Sequence, residues 1–166
     1  MNNPGSLMSR SNLCIIGIGN EFRGDDAAGL LTARRLRERF NGEVSVLERS
    51  GEGSALMDSW AGAECVILID AIQSGHPIGS IHRFDAGKEP LPEDAVRCST
   101  HSFGVTQCIE LARAMNKLPA RLIFYGIVGK NFEMGAELSP EVEKSIQQTT
   151  QDIYSELTPA RHPDHA

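Results

Sequence analysis

Two carboxylates and one imidazole are the side chains of this sequence whose types and spacing could do chemistry. Asp26 follows a glycine-rich turn after an apolar run. Asp70 ends another apolar run, and His101 begins a helix-like segment. This mixed oxygen and nitrogen ligand set suits Zn²⁺, Ni²⁺, Mn²⁺ or Fe²⁺, and the spacing does not choose among them. Because three protein ligands leave coordination positions open for substrate or water, Asp26, Asp70 and His101 are predicted to be catalytic and to contact a metal.

An α/β sheet would bring these three residues together. Strands and helices alternate along the chain, which predicts a single three-layer α/β domain: a twisted, mostly parallel five-stranded sheet with helices on both faces. The strands are predicted at 13–18, 44–48, 65–70, 80–84 and 122–128, and the helices at 26–40, 53–61, 101–116 and 140–157. The connection before the fourth strand is too short for a crossover helix, so this strand is expected to be antiparallel or at an edge. Sites in such sheets form beyond the carboxyl ends of the strands, where Asp26 and Asp70 fall.

Each candidate residue also has a purely structural interpretation. Asp25 and Asp26 could cap the first helix and complement its dipole, and for Asp25 capping is the favoured interpretation. Asp70 could end its strand through local hydrogen bonds, and His101 could be a helix-start histidine with a backbone partner. Gly29 falls inside a helix, where glycine is unfavourable, and close packing of the helix on the sheet is the expected reason.

A dinucleotide site is the alternative that the segment Gly17–Gly19 suggests. The third glycine of the G-x-G-x-x-G pattern is replaced by Phe22, although the second strand does end in an acid, Glu48, as a ribose-binding strand would. The two carboxylates Asp25 and Asp26 at this turn would repel phosphate and suit a cation or a proton better. A small nucleotide-binding domain therefore stays a weaker hypothesis.

Composition limits the other function classes. The chain has 166 residues and a formal net charge of -6, which suits one cytoplasmic domain and argues against a nucleic-acid partner. No apolar segment approaches the roughly 20 residues that span a bilayer, so no membrane insertion is expected. The cysteines lack metal-site spacing: Cys14 and Cys65 are predicted to be core residues, and Cys98 is a minor alternative as a nucleophile. Residues 1–12 and 158–166 are predicted to be disordered tails around a domain at 13–157.

Several segments, taken in order, resemble the hydrogenase maturation protease family, and the resemblance extends from about residue 13 to residue 157. Ile15–Asn20 and Gly24–Gly29 resemble its glycine motif and first acidic motif. Leu68–Ala71 resembles its second acidic motif, and Ser99–Gly104 its histidine motif. Tyr125–Val128 and Leu138–Val142 resemble the family's later segments.

The resemblance implies an aspartyl-type endopeptidase that removes the C-terminal extension of a NiFe hydrogenase large-subunit precursor after nickel insertion. The family's metal-contacting residues correspond to Asp26, Asp70 and His101, which would contact the nickel that the precursor supplies. The implied partner is this precursor, and the protein is expected to be a monomer in the cytoplasm. A nickel checkpoint or chaperone of the same fold that does not cleave is the alternative hypothesis.

Overall fold

A five-stranded sheet forms the centre of the fold in the computed structural model, which describes residues 10–93 and 104–158. The strands are β1 (Leu13–Ile18), β2 (Ser45–Arg49), β3 (Cys65–Ile72), β4 (Ile81–Asp85) and β5 (Arg121–Val128). They lie side by side in the order β2-β1-β3-β5-β4. All neighbouring strands are parallel except β4, which runs antiparallel to β5 at the edge of the sheet. The short connection before β4 predicted a strand that is antiparallel or at an edge, and β4 is both.

Helices cover both faces of this sheet. On one face lie α1 (Ala28–Phe40) and α4 (Pro140–Leu157), and on the other lie α2 (Gly53–Ser59) and α3 (Val105–Ala114). This confirms the three-layer architecture. None of the helices in the described ranges combines the length and the apolar character that a bilayer span requires.

The central strands are buried on both sides because alternate residues enter two separate cores. In β3, Cys65 and Ile67 pack under α1 and α4, whereas Leu68 packs under α2 and α3. Cys14 of β1 is buried in the second core, so Cys14 and Cys65 are core residues as predicted. A run that is apolar at every position is what a strand needs when helices cover both of its faces.

The first helix begins later than its sequence predicts. Gly24–Ala27 form a 3-10 turn, and α1 starts at Ala28, so Asp26 lies in the turn and not in the helix. Before β1, Arg10–Asn12 form another 3-10 turn. The remaining residues of the predicted tails, 1–9 and 159–166, lie outside the described residues, and the predicted domain limits stay a prediction.

Helix α1 lies directly on the sheet because glycines stand on both sides of the contact. A Cβ atom on Gly29 would overlap the carbonyl oxygens of Ile18 and Ile69, which belong to β1 and β3. A Cβ atom on Gly17 would overlap the carbonyl oxygen of Gly29. The close packing expected for Gly29 is therefore confirmed. It brings the turn Gly24–Ala27 to the carboxyl ends of β1 and β3.

Replacing Gly29 by alanine should lower the free energy of unfolding by about 2–3 kcal/mol, because backbone atoms block the new methyl group. The better helix propensity of alanine, about 1 kcal/mol, offsets only part of this loss. Gly75→Ala is the matched control: a Cβ atom there meets open space, and its effect should stay within about 0.5 kcal/mol. Urea unfolding measures both variants, and equal midpoints would contradict the close contact.

Candidate functional site

Asp26 and Asp70 lie together in the interior: Asp26 is in the turn that follows β1, and Asp70 is near the carboxyl end of β3. Asp26 is 1% exposed and Asp70 is 3% exposed. Gly19, with a φ of +148°, lets the chain leave β1 and turn back onto itself, because a Cβ atom there would overlap the carbonyl oxygen of Asp26. The turn that holds Asp26 is thus packed against the strand end that precedes it.

Asp70 lies within β3 and not at its end, because the strand continues to Ile72. The interpretation that Asp70 stops its strand through local hydrogen bonds is therefore wrong. The backbone N–H of Ala71 donates to its carboxylate, and Oδ1 has no hydrogen-bond partner among the described residues. Its neighbour across to β5 is Gly126, which has no side chain to offer a donor. A buried carboxylate oxygen without such a partner is uncommon in folded proteins and calls for an explanation.

The electrostatic environment of Asp70 favours its neutral form. Burial raises the pKa of Asp70 well above its usual range, and the charge of Asp26 raises it further. The hydrogen bond from the N–H of Ala71 opposes these effects without cancelling them. Two carboxylates that share a site removed from water do not both ionise readily, so the pair requires a proton or a cation. Asp70 therefore holds a proton at pH values where an exposed aspartate has lost it.

The neighbouring acid, Asp25, has a structural role. It is wholly buried, and its Oδ2 accepts hydrogen bonds from the backbone N–H groups of Lys130 at 2.8 Å and Asn131 at 3.1 Å. Ser139 donates its backbone N–H to Oδ1 at 2.7 Å and its hydroxyl to Oδ2 at 2.8 Å. Burial alone would raise the pKa of Asp25, but these hydrogen bonds outweigh burial and hold the pKa below its usual value.

Asp25 therefore connects the turn after β1 to the segment after β5. The prediction that it caps the first helix is wrong, because neither the 3-10 turn nor α1 has a side-chain hydrogen bond at its N-cap. Ser139 occupies the N-cap position of α4, and Pro140 follows it in the first turn. However, the Ser139 hydroxyl donates to Asp25 instead of accepting from the helix. Sequence reasoning missed this role because Ser139 lies 114 residues after Asp25.

The third predicted site residue, His101, lies outside the described residues, as does Cys98. The structure thus brings Asp26 and Asp70 together, and the place of His101 stays a prediction. In the described part of the chain, no three histidine, cysteine, aspartate or glutamate side chains form a group that could hold a metal. The two carboxylates are hard oxygen ligands, and a metal contact there needs at least one more donor.

Two further histidines lie close to each other in the described part of the chain, and of these His76 is exposed. His82 is partly buried: its ring centroid lies 4.7 Å from that of His76, and its ring stacks on Phe84 with centroids 6.2 Å apart. His82 pairs with Gly126 from one side of β5, and Asp70 pairs with the same glycine from the other side. Sequence reasoning missed this alignment because it depends on strand order.

The dinucleotide alternative finds little support. The Glu48 carboxylate, which would have to bind a ribose, accepts hydrogen bonds from Arg34 and Arg37, each at 2.9 Å. Phe22, at the place of the third glycine, is 66% exposed. A phosphate at this turn would also meet the buried negative charge of Asp25, whose pKa is held low.

The family of this chain follows from comparison with known proteins. A sequence model described as hydrogenase maturation protease matches residues 31–156. Since this range is more than half of the chain, the protein belongs to the hydrogenase maturation protease family. The matched range includes Asp70 and His101 and begins after Asp26.

Individual relatives agree with this assignment. A hydrogenase expression/formation protein of Thiocapsa roseopersicina is 24% identical over 143 residues, which cover 84% of this chain and 65% of that protein. The hydrogenase 2 maturation protease of Escherichia coli is 22% identical over 147 residues, with 87% of this chain and 90% of that protein covered. The structure of a NiFe hydrogenase maturation protease from Thermococcus kodakarensis superposes with a TM-score of 0.68 at 29% identity, covering 89% of this chain and 99% of that one. The chain thus spans slightly less than two thirds of the first relative.

Replacing Asp70 by asparagine should raise the free energy of unfolding at neutral pH by about 1 kcal/mol, or roughly 2–4 °C in Tm. The raised pKa means that wild-type protein takes up a proton on folding. Its contribution to stability therefore falls as pH rises above the unfolded value of about 3.9. The Tm difference between the Asp70→Asn variant and wild type should widen with pH in this window. A less stable variant, or a difference independent of pH, would contradict the assignment.

Replacing Asp25 by asparagine should lower the free energy of unfolding by about 2–4 kcal/mol, since buried donors lose a charged acceptor. Because its pKa is lowered in the fold, this stabilisation is complete above about pH 4 and disappears as pH falls through the folded pKa. Amide hydrogen exchange in residues 130–139 should become faster. The exposed acid Asp58 supplies the control variant Asp58→Asn, and an Asp25→Asn variant that behaves like it would refute the role of Asp25.

Proposed function

We propose that this protein is an endopeptidase that removes the C-terminal extension of a NiFe hydrogenase large-subunit precursor after nickel insertion. In this proposal Asp26, Asp70 and His101 contact the nickel of the precursor. The observation that supports it most directly is the buried pair of Asp26 and Asp70, at the carboxyl edge of the sheet, in a member of the hydrogenase maturation protease family. The names of the relatives point to hydrogenases as the proteins that are processed.

The electrostatics of the pair suit a metal that arrives with the substrate. Burial and the charge of Asp26 raise the pKa of Asp70, which favours the form that carries a proton. A dication that contacted both carboxylates would release that proton to solvent and offset the two negative charges. Oxygen and imidazole donors without a thiolate bind nickel less firmly than sulfur-rich sites do. Such a site can release the metal together with the product.

The nickel of the precursor would then act on the peptide bond as a Lewis acid or as the activator of a water molecule. Both roles require coordination positions that the protein does not fill, and a contact through Asp26, Asp70 and His101 leaves such positions. Asp25 contributes indirectly: it fixes the turn that holds Asp26 against the segment after β5. This fixed geometry is what positioning of a scissile bond requires.

The proposal predicts that a nickel-loaded precursor loses its C-terminal peptide when it is incubated with wild-type protein. Asp26→Asn and Asp70→Asn should slow this loss at least about 100-fold, because each removes a charge that contacts the metal. The exposed acid Asp152 offers a matched control, and Asp152→Asn should cleave within about 2-fold of wild type. Intact-mass spectrometry follows the reaction, and circular dichroism verifies that each variant is folded.

A nickel-free precursor completes the experiment. It should remain intact, and cleavage at the wild-type rate would refute the nickel requirement. A nickel-loaded precursor that binds the protein but is never cleaved would refute the endopeptidase and favour the checkpoint or chaperone hypothesis. The variant His101→Ala tests the third residue: cleavage at the wild-type rate would remove His101 from the site.

A further inference from the structure

Two exposed apolar side chains lie on segments that leave the sheet at the edge where the paired aspartates are buried. Phe22 is 66% exposed and Met134 is 69% exposed, which makes them the most exposed large apolar side chains in the described part of the chain. Phe22 lies in the segment between β1 and α1, and Met134 lies in the segment between β5 and α4. Both segments leave the sheet at its carboxyl edge, where Asp26 and Asp70 are buried.

The two segments are bonded to each other through their backbones. The N–H of Gly135 donates to the carbonyl oxygen of Phe22 at 2.8 Å. The guanidinium of Arg23 donates to the carbonyl oxygen of Phe132 at 2.9 Å. Beside these contacts, Asp25 binds the same second segment through Lys130, Asn131 and Ser139. The surface that presents Phe22 and Met134 is therefore fixed before any partner arrives.

Met134 is exposed although its segment does reach the hydrophobic core. Phe132, two residues earlier in the same segment, is only 8% exposed and packs into the core under α1 and α4. The segment is thus anchored by one apolar side chain and presents another to solvent. A single exposed apolar residue needs no explanation, whereas two on bonded segments at the edge that holds the buried aspartates form a candidate interaction surface.

We propose that Phe22 and Met134 form a docking surface that binds an apolar side chain of the precursor, flanked by a basic residue, next to the scissile bond. This inference rests on the proposed function, because it assigns the occupant as the polypeptide whose cleavage was proposed. A polypeptide whose scissile bond lies near Asp26 also has to pass over the two segments that contain Phe22 and Met134. Contact with nickel alone distinguishes loaded from unloaded precursors, and contacts with the surrounding polypeptide add selectivity among precursors.

The charges around this surface favour the basic flank. Glu133 and Glu137 are exposed on either side of Met134 along the chain, whereas Lys130 is the one exposed lysine of this segment. The Arg23 guanidinium is directed to the carbonyl oxygen of Phe132. The whole chain also has a formal net charge of -6. A positively charged partner segment is attracted by such a surface, mainly through faster association.

Binding of the nickel-loaded large-subunit precursor tests the docking surface separately from cleavage. Phe22→Ser and Met134→Ser should each raise the Kd for the precursor at least about 5-fold, as expected for apolar contacts at the centre of an interface. Met115 is the matched control, because it is 48% exposed but follows α3 toward the start of β5, at the opposite edge of the sheet. Met115→Ser should leave the Kd within about 2-fold.

The charge contribution has its own readout. Glu133→Lys should raise the Kd at low ionic strength, and the effect should shrink as added salt screens the interaction. Asp152→Lys places the same charge change on α4 and should have a much smaller effect. Equal effects of the two substitutions, or an effect of Glu133→Lys that salt does not change, would overturn the basic flank of the proposed occupant.

The outcomes separate this inference from the proposed function. Weaker binding by Phe22→Ser and Met134→Ser, with Met115→Ser unchanged, supports the docking surface whether or not wild-type protein cleaves. Wild-type binding and cleavage by both variants overturn the docking surface and leave the proposed function intact. Wild-type binding without cleavage, lost in both variants, supports the docking surface and refutes the endopeptidase. Absence of both binding and cleavage with wild-type protein overturns both.

Discussion

The backbone contact between α1 and the sheet is the constraint on which the candidate site depends. Gly17 and Gly29 leave no side chain between the helix and the strands, and a single methyl group on Gly29 would strike carbonyl oxygens of both β1 and β3. Because α1 lies so close, the turn before it is pressed against the strand ends. This places Asp26 beside Asp70 and removes both carboxylates from water. A looser helix would admit water between them and weaken the electrostatic coupling that distinguishes the pair.

Asp25 and Asp70 are both buried aspartates, but their pKa values shift in opposite directions because their surroundings differ. Asp25 receives hydrogen bonds from Lys130, Asn131 and Ser139, and they hold its pKa low despite burial. Asp70 faces burial and the charge of Asp26, with one opposing hydrogen bond, and its pKa is raised. The first carboxylate is a stable anion that holds two segments together. The second is a buried group whose neutral form is favoured. The opposite pKa shifts of the two acids thus come from their hydrogen bonds and, for Asp70, from the neighbouring charge of Asp26.

Asp25, the buried pair of Asp26 and Asp70, and the exposed apolar surface all belong to the carboxyl edge of the sheet. β1 leads into the turn with Asp25 and Asp26, β3 contains Asp70, and β5 leads into the segment with Met134. The same hydrogen bonds that hold Asp25 therefore connect the buried pair to the apolar surface outside it. In the proposed function, a polypeptide at the surface and its metal in the interior would contact segments that these hydrogen bonds hold together.

Local patterns in the sequence determined much of the fold and part of the candidate site. The alternation of strands and helices, the antiparallel edge strand, the close contact of Gly29, and the places of Asp26 and Asp70 near strand ends all follow from residues close together in the chain. Only the tertiary structure decided that Asp25 binds Ser139, 114 residues away, that α1 begins after Asp26, and that Asp70 favours its neutral form. The physical reason is that periodicity and turn propensity act between near neighbours. Desolvation, strand order and long-range hydrogen bonds depend instead on which distant segments pack together.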